Sequence, residues 1–354
     1  MPIFGMGRTT ARTGDRRILD QRGNNRNRYY QGPESDHFDG RLFFNSDGVA
    51  PRGFLDLLRW RLRGGGAKWP ASWPSPHPPA TPVARIAGEG LRVTMVGHAT
   101  LLIQVAGLNV LTDPVWSQRM SPVAWAGPRR INAPGIAFDD LPPIDLVLLS
   151  HNHYDHFDAA TLRRVAAAHA PLLVTALGND AIVAAAAPGM RVAAHDWGES
   201  VSLPGGCVIH VEPAHHWSAR GAFDRRMALW AGFVVETPAG KVYFAGDTSF
   251  HGGAHYRRLA DKHGDVRLAI LPIGAYEPRW FMESFHQDPD EAVEGMLLCR
   301  AAYAAGCHWG TVGLTDEPVE EPRDRLLSAL DARGVERTRF RPMLAGEVWD
   351  VPAG

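Results

Sequence analysis

The feature that most constrains this chain is a cluster of three histidines and one aspartate within six residues, in Ser150-His151-Asn152-His153-Tyr154-Asp155-His156. The cluster directly follows Leu146–Leu149, an entirely apolar stretch that predicts a strand covered on both faces. His151 and His153 are two residues apart, so in an extended chain they point to the same side. Neutral imidazole and carboxylate are ligands that Zn²⁺ prefers in hydrolytic sites. The pattern therefore favours a sheet that delivers a metal-binding cluster over a polar turn that happens to be rich in histidine.

Three later residues stand in similar settings. His216 follows a predicted strand at 208–211, and Asp247 follows a predicted strand at 242–245. His308 lies in a glycine-flanked turn. Taken singly, each would cap or hydrogen-bond as readily as it would bind a metal. Open α/β sheets place ligands at the carboxyl ends of their strands, so the joint occurrence of these residues predicts one metal centre.

The chain after residue 90 has the pattern of a layered body of sheets and helices. Short apolar runs predict strands at 91–96, 100–105, 108–111, 146–149, 172–175, 208–211, 231–236, 242–245, 268–272 and 347–351. Helices are predicted at 159–169, 180–187, 289–304 and 322–332. Asp288 followed by Pro289 is a typical helix start. Strands dominate twice, each time followed by helices, which indicates the α/β (α+β) class.

Residues 1–88 differ from residues 89–354, which we expect to form the main domain. Arginine runs, three glycines at 64–66 and a proline-rich stretch at 69–82 predict an extended N-terminal arm. Leucines and arginines alternate around Trp60, which predicts one short basic amphipathic helix. Such a helix can lie on a membrane surface or dock its apolar face on the same protein, and the sequence leaves both open.

Composition excludes several classes of protein. The formal net charge is −1, so no overall field draws the chain to nucleic acid. The cysteines at 207, 299 and 307 are too scattered for a disulfide framework and predict buried thiols in a reducing compartment. No apolar run reaches the roughly 18 residues of a membrane span, and the N-terminus lacks the apolar segment of a secretory signal. We expect a cytoplasmic location, either free or peripheral to the inner face of the membrane. Lysine occurs only at 68, 241 and 262, a skew typical of GC-rich bacterial genomes.

The order of these motifs resembles the metallo-β-lactamase superfamily, in which HxHxDH is followed at long intervals by His, Asp and His. Longer stretches resemble the family of N-acyl-phosphatidylethanolamine-hydrolysing phospholipase D. They are GLRVT at 90–94, GHAT at 97–100, LTDP at 111–114, LPPID at 141–145, FAGDT at 244–248, GAYEPRWFM at 274–282, HQDP at 286–289 and HWG at 308–310. The likeness covers about residues 90 to 312. GAYEPRWFM is far more specific to this family than HxHxDH is.

The resemblance implies a four-layer αββα sandwich with an N-terminal extension and a site for two Zn²⁺, although iron or manganese also accept such ligands. The implied ligands of one zinc are His151, His153 and His216; those of the other are Asp155, His156 and His308; Asp247 bridges the two. A hydroxide shared by two metals is a nucleophile at neutral pH, so the implied reaction is attack on a phosphodiester.

Further roles are implied around the metals. Asp155 would also orient the hydroxide. His286 resembles an additional active-site histidine that donates to the phosphate or protonates the leaving oxygen, or else it only caps a helix start. Asp113 and His98 are candidates to orient ligand imidazoles, although Asp113 could equally form the turn before Pro114.

The specific stretch at 274–282 adds two substrate-binding or supporting candidates, Tyr276 and Arg279. Arg279 could bind phosphate, or it could pair with an acid such as Glu277 to brace the loop. We expect His215 to point away from its neighbour His216. The pair Arg129-Arg130 could contact an anionic headgroup, but a solvated surface pair is favoured.

The leading hypothesis is a zinc phosphodiesterase of phospholipase D type acting on N-acyl-phosphatidylethanolamine or a related phosphodiester, with peripheral membrane contact. The alternative is a metal-dependent lactonase or acyl hydrolase of the same fold, because the same metals can polarise a carbonyl. A non-catalytic binding protein is disfavoured because all seven implied ligands are present. The sequence leaves a homodimer open.

Overall fold

The computed structural model describes residues 26–49 and 52–353. The strands are β1 (Leu91–Gly97), β2 (Thr100–Val105), β3 (Leu108–Thr112), β4 (Leu146–Leu149), β5 (Leu172–Ala176), β6 (Arg191–His195), β7 (Ser200–Leu203), β8 (Cys207–Glu212), β9 (Gly232–Thr237), β10 (Gly240–Phe244), β11 (Val266–Pro272), β12 (Ala301–Cys307), β13 (Phe340–Pro342) and β14 (Val348–Asp350). The helices are α1 (Phe54–Arg63), α2 (Ala159–His169), α3 (Asn179–Ala186), α4 (Ala254–His263), α5 (Arg279–Met282), α6 (Pro289–Leu298) and α7 (Glu321–Ala332). Short 3₁₀ turns lie at Phe138–Asp140, Pro204–Gly206 and His251–Gly253.

In the described part of the chain, two mixed sheets of seven strands each lie at the centre. Their strand orders are β14-β1-β2-β3-β4-β5-β6 and β13-β12-β11-β10-β9-β8-β7. One core cluster joins the facing sides of both sheets, as Val93 and Leu148 of the first meet Phe233 and Ile270 of the second. The outer face of the first sheet packs on α2 and α3, and that of the second packs on α4, α6 and α7. The expected four-layer αββα sandwich is confirmed.

The register of the sheets brings strand ends together. Strands β3, β4 and β5 run parallel in the first sheet, and β10, β11 and β12 run parallel in the second. Polar segments leave the carboxyl ends of β3, β4, β8, β10 and β12, which are the ends at which open sheets place ligands. The fold therefore gathers residues 113, 150–156, 213–216, 245–247 and 308 at one edge of the sandwich.

The predicted helix at 289–304 is too long. Helix α6 ends at Leu298, Arg300 takes a positive φ of 55°, and β12 begins at Ala301. The sequence AAYAAGC favours a helix locally, but β12 is paired in parallel with β11 and β13 inside the second sheet. Small residues fit there because a Cβ on Gly306 would stand 2.8 Å from Ile273. Tertiary packing thus overrides local propensity.

The N-terminal segment lies along the body of the protein. Phe38 and Phe43 are buried and belong to the core between the sheets. The backbone amides of Trp73 and Ala80 donate to the carbonyls of Ile131 and Gly135, both at 2.7 Å. The arginine-rich start of the predicted arm lies outside the described residues. Among the described residues, no helix is long and apolar enough to cross a membrane.

Candidate metal centre

Three histidines form one half of the site. His153 Nδ1 lies 2.8 Å from His151 Nε2 and 3.3 Å from His216 Nε2, so three ring nitrogens face a common point. His153 presents Nδ1, whereas the other two present Nε2. His151 and His153 follow β4, and His216 follows β8, so the two sheets supply one triad between them.

Asp155 is the centre of the other half. Its Oδ2 lies 3.3 Å from His308 Nε2 and 3.5 Å from His156 Nε2. His98 Nε2 is even nearer to Oδ2, at 3.0 Å, and the rings of His98 and His308 are 3.9 Å apart. His98, predicted only as a supporting residue, therefore points into the same group as the implied ligands.

Asp247 lies between the two halves. Its Oδ2 is 3.1 Å from His156 Nε2 and 3.3 Å from His308 Nε2 on one side. On the other side it is 3.7 Å from His216 Nε2 and 3.8 Å from His151 Nε2. All seven implied ligands thus converge, and Asp247 takes the position shared by both groups.

Asp113 holds the two groups in orientation from behind. It is fully buried, and it accepts hydrogen bonds from the Ser150 amide at 2.7 Å, the Ser150 hydroxyl at 2.6 Å and His156 Nδ1 at 2.6 Å. Ser150 Oγ in turn lies 2.9 Å from His151 Nδ1. Fixing the far ring nitrogen makes the near nitrogen of an imidazole available to a metal. The supporting role of Ser150 was missed, although its place directly after β4 was the available signal.

Backbone support completes this arrangement for His216. Its Nδ1 donates to the Phe285 carbonyl at 2.8 Å. His215 points the other way, as expected, with Nε2 2.8 Å from Asp47 Oδ2.

The protonation of His308 differs from that of the histidines in the first half. Burial lowers the pKa of His153 to about 3 and that of His216 to about 4, so their lone pairs are free near neutral pH. Burial also opposes protonation of His308, but Asp247 and Asp155 outweigh it and raise its pKa to about 9. Metal ligands must be deprotonated, so a cation bound here would displace that proton.

The residues fit a divalent metal. His156 Nε2, His308 Nε2 and Asp247 Oδ1 are buried without a hydrogen-bond partner, although buried polar atoms are normally paired. Imidazoles and carboxylates that face one another are the donor set of zinc and related divalent ions. A cation at this place would satisfy atoms that the protein leaves unsatisfied.

A cavity of about 570 Å³ opens over the cluster. Asp155, Asp247 and His308 lie at its base, and apolar side chains including Trp60 and Phe281 line its walls. His286 also lines the cavity, its Nε2 3.9 Å from Asp247 Oδ2 and its Nδ1 without a partner. The structure therefore brings His286 to the edge of the cluster.

Arg279 and Tyr276 do not line this cavity. Arg279 donates to both carboxylate oxygens of Glu291, at 2.9 and 3.0 Å, and to the His286 carbonyl at 3.0 Å. This geometry matches the bracing interpretation, with Glu291 as the acid where Glu277 was expected. Tyr276 is fully buried and donates to Glu321 at 2.7 Å, which gives it no contact with a substrate.

The expectation that Arg130 is a solvated surface residue is wrong. It is only 2% exposed, and its Nη2 donates to the Val115 carbonyl at 2.9 Å. It is therefore neither a solvated surface residue nor available to a headgroup, whereas Arg129 is exposed. Burial lowers the pKa of Arg130 to about 10, so it stays charged at neutral pH.

The fold and the site together define a metal-dependent hydrolase. The family model of the beta-lactamase superfamily domain matches residues 108–309. The chain is 40% identical over 275 residues to N-acyl-phosphatidylethanolamine-hydrolyzing phospholipase D 1 of Caenorhabditis elegans, an alignment that covers 74% of this chain and 76% of the relative. It is 30% identical over 256 residues to the mitochondrial enzyme of that name in Saccharomyces cerevisiae, over 71% of this chain and 54% of the relative.

Among solved structures, the isothiocyanate hydrolase from Delia radicum gut bacteria has a similar fold, with a TM-score of 0.59 at 20% identity, over 74% of this chain and 100% of that one. The chain belongs to the beta-lactamase superfamily and, within it, to the family of N-acyl-phosphatidylethanolamine-hydrolysing phospholipases D.

Proposed function

We propose that this protein is a dinuclear zinc phosphodiesterase that hydrolyses N-acyl-phosphatidylethanolamine or a related phospholipid at the bond that a phospholipase D cleaves. The observation that carries the proposal is the position of Asp247 Oδ2, within 3.8 Å of ring nitrogens from both histidine groups. A carboxylate that lies between two ligand groups is suited to hold two metal ions close to each other. The 40% identity to the C. elegans phospholipase supports the substrate class.

Two divalent ions, when bound, would neutralise phosphodiester oxygens and lower the pKa of a water to supply a nucleophile at neutral pH. The side chains of the chain set the geometry. Asp247 fixes the separation of the two ligand groups. Burial alone would raise the pKa of Asp155, but His156, His308 and His98 hold it well below its usual value. Its Oδ2 therefore stays ionised and can accept a hydrogen bond from an attacking water.

His286 is placed to donate a hydrogen bond to the phosphoryl group or to the leaving oxygen, whose proton then comes from solvent. Burial lowers its pKa well below the usual value, so it is a neutral imidazole with one N–H near neutral pH. Its carbonyl is held by Arg279, which limits the movement of this segment. A neutral imidazole at the cavity edge can donate to a phosphoryl oxygen and assist departure of the alkoxide.

Replacing His286 by Ala should lower kcat by about 10²–10⁴-fold, the usual contribution of a positioned acid or base. Metal content should not change, because His286 is not among the seven implied ligands and its Nε2 is 3.9 Å from Asp247 Oδ2, farther than any of the ligand nitrogens named above. Metal analysis and turnover should be measured on the same samples, with His195→Ala as the control for loss of a histidine outside the site. Unchanged turnover would remove His286 from the reaction, and loss of metal would reassign it as a ligand.

The walls of the cavity support a lipid substrate over a small lactone. Trp60, Trp217 and Phe285 give an apolar lining suited to acyl chains. Arg225 also lines the cavity, its guanidinium 4.4 Å from the Trp217 ring and its Nε buried without a partner. A cation in an apolar cavity complements a phosphate diester better than it does an uncharged ester.

The substrate class can be tested with a panel read by mass spectrometry. Zinc-loaded protein should release phosphatidic acid and N-acylethanolamine from N-acyl-phosphatidylethanolamine, and it should hydrolyse bis-p-nitrophenyl phosphate more slowly. An acyl lactone and a cephalosporin should remain intact. Turnover of the lactone or the cephalosporin without phosphodiester cleavage would replace this proposal by the acyl-hydrolase alternative.

We also propose that α1 brings the cavity to the membrane, on the cytoplasmic side of the cell. Trp60 anchors α1 to the body through a 2.7 Å bond from Nε1 to Asp316 and through contact with Phe281. Three leucines at helical spacing, Leu55, Leu58 and Leu62, stay exposed. The exposed arginines at 59, 61 and 63 complement an anionic lipid surface.

Replacing Leu55, Leu58 and Leu62 together by Ser should weaken binding to phosphatidylglycerol vesicles at least about tenfold, because burial of each leucine is worth roughly 1.5–3 kcal/mol. Hydrolysis of a water-soluble phosphodiester should be unchanged. The control is Leu297→Ser with Val348→Ser, two apolar positions on other elements that are each 42% exposed. Equal vesicle binding by all three proteins, measured by co-sedimentation, would show that α1 is not the contact.

A further inference from the structure

A second group of ligand-type side chains lies outside the cluster described above. Asp47 Oδ2 is 2.8 Å from His215 Nε2, and it is 2.6 Å from His251 Nε2. The two imidazoles stack with their centroids 4.3 Å apart and their planes 13° apart, so both ring nitrogens face the same carboxylate oxygen. None of these three residues belongs to the groups around Asp155 and Asp247.

The orientation of His215 is fixed from behind. Its Nδ1 lies 2.9 Å from Ser249 Oγ and 3.2 Å from the Ser284 carbonyl. These contacts leave Nε2 facing Asp47. A metal-ligating imidazole typically has its other nitrogen held in this way. Asp47 is held as well, because its Oδ1 accepts a hydrogen bond from the Val49 amide at 2.9 Å and Oδ2 is left for the histidines.

The group is reachable from solvent. The side chains of His251 and Asp47 are 42% and 30% exposed, whereas His215 is nearly buried. A cavity of about 260 Å³ borders all three residues and leaves room for water on the open side. Two imidazoles and one carboxylate with open positions form a donor set that zinc and other divalent transition metals accept.

Another group of the same residue types is less suited to a metal. His210 and His263 lie near Glu236, but His263 already pairs with Glu212 at 2.8 Å. Glu212 is also held by Lys262 at 2.7 Å, which places a fixed cation beside that group.

We propose that Asp47, His215 and His251 form a separate site for a divalent transition metal such as Zn²⁺, which fastens the N-terminal segment to the body of the enzyme. This segment touches the metal centre indirectly, because Asn45 Nδ2 donates to the His216 carbonyl at 3.2 Å. The same Asn45 accepts a hydrogen bond from Trp230 Nε1 at 3.2 Å. An ion held by Asp47 would therefore restrain the segment that leads to α1. The proposal does not depend on the substrate proposed above.

The test is a comparison of metal content at a fixed free Zn²⁺ concentration. Wild type, Asp47→Asn, His251→Ala and the control His195→Ala are dialysed against the same zinc-buffered solution, and zinc per chain is measured by mass spectrometry. We expect His251→Ala and Asp47→Asn each to hold one zinc fewer than wild type, and His195→Ala to match wild type. His251 and His195 are both partly exposed histidines paired with an acid, so both variants should fold, which circular dichroism checks.

Stability gives a second measurement that does not involve catalysis. Addition of Zn²⁺ should raise the Tm of wild type more than that of His251→Ala, because only the former gains the additional bound ion. Equal zinc content in all four proteins, together with equal Tm shifts, would show that these residues form a hydrogen-bonded triad without metal and would overturn the proposal. Loss of turnover in every protein with the zinc difference intact would instead count against the proposed function alone.

Discussion

Replacing Asp247 by Ala should abolish hydrolysis together with metal binding at the centre that Asp247 shares between its two halves. Among the described residues, Asp247 is the one whose carboxylate lies within 3.8 Å of ring nitrogens from both halves of the site. Without it, His156 and His308 face each other without the negative charge that lies between them. Altering a residue that only supports a ligand costs roughly 10–100-fold in metal affinity or activity, so loss of a shared ligand should exceed that range. Zinc per chain and kcat/KM on a phosphodiester are the two measurements.

Two further variants make the result specific. Asp247→Asn keeps the shape of the side chain and removes its charge, so it should lose metal even if the alanine variant folds poorly. Asp139→Ala removes a carboxylate from a surface position that is 93% exposed and should behave as wild type. Retention of as many zincs per chain as wild type by either Asp247 variant would contradict the bridging role.

The centre of the site was predictable because its signals are local and chemically unusual. The cluster from His151 to His156 follows an apolar strand, and the implied partners each stand at or near the end of a strand in the correct order. The layered body of sheets and helices followed from alternating groups of strands and helices, whereas the four-layer sandwich was implied by the family resemblance. These features depend on spacing and residue type, which a sequence displays directly.

Features that depend on packing were missed or misplaced. The helix predicted to continue to Ala304 ends early because residues of β12 pair with β11 and β13. Local helix propensity carries no information about this pairing. The sequence left open whether Arg279 binds phosphate or pairs with an acid. Only the structure shows that it pairs with Glu291, 12 residues away in the sequence. Arg130 was taken for a surface residue because its burial depends on segments distant in sequence. The three strands β6, β7 and β13, which were not predicted, are short or partly exposed and carry weak apolar patterns.

Replacing Asp113 by Ala should have the largest effect on stability. The side chain is fully buried and accepts from the amide and the hydroxyl of Ser150 and from His156 Nδ1. Its removal would leave buried donors without an acceptor and a buried imidazole without its counter-charge. Breaking a buried, hydrogen-bonded charge pair by removal of one partner costs about 3–5 kcal/mol. The free energy of unfolding, measured by denaturant titration, should fall by that amount.

Asp113→Asn separates support of the ligand from stability. The amide retains one oxygen for Ser150 but cannot accept from both Ser150 and His156, so His156 loses its fixed orientation. We expect a smaller loss of stability than for Asp113→Ala. Metal affinity should fall by roughly 10–100-fold, as is usual when a residue that supports a ligand is altered. Thr175→Val is the matched control: it removes a buried hydroxyl that donates to the Leu149 carbonyl at 2.9 Å, one strand away. That control should cost about 1 kcal/mol and leave metal affinity unchanged, and an Asp113→Asn variant that behaved in the same way would show that Asp113 serves only the turn.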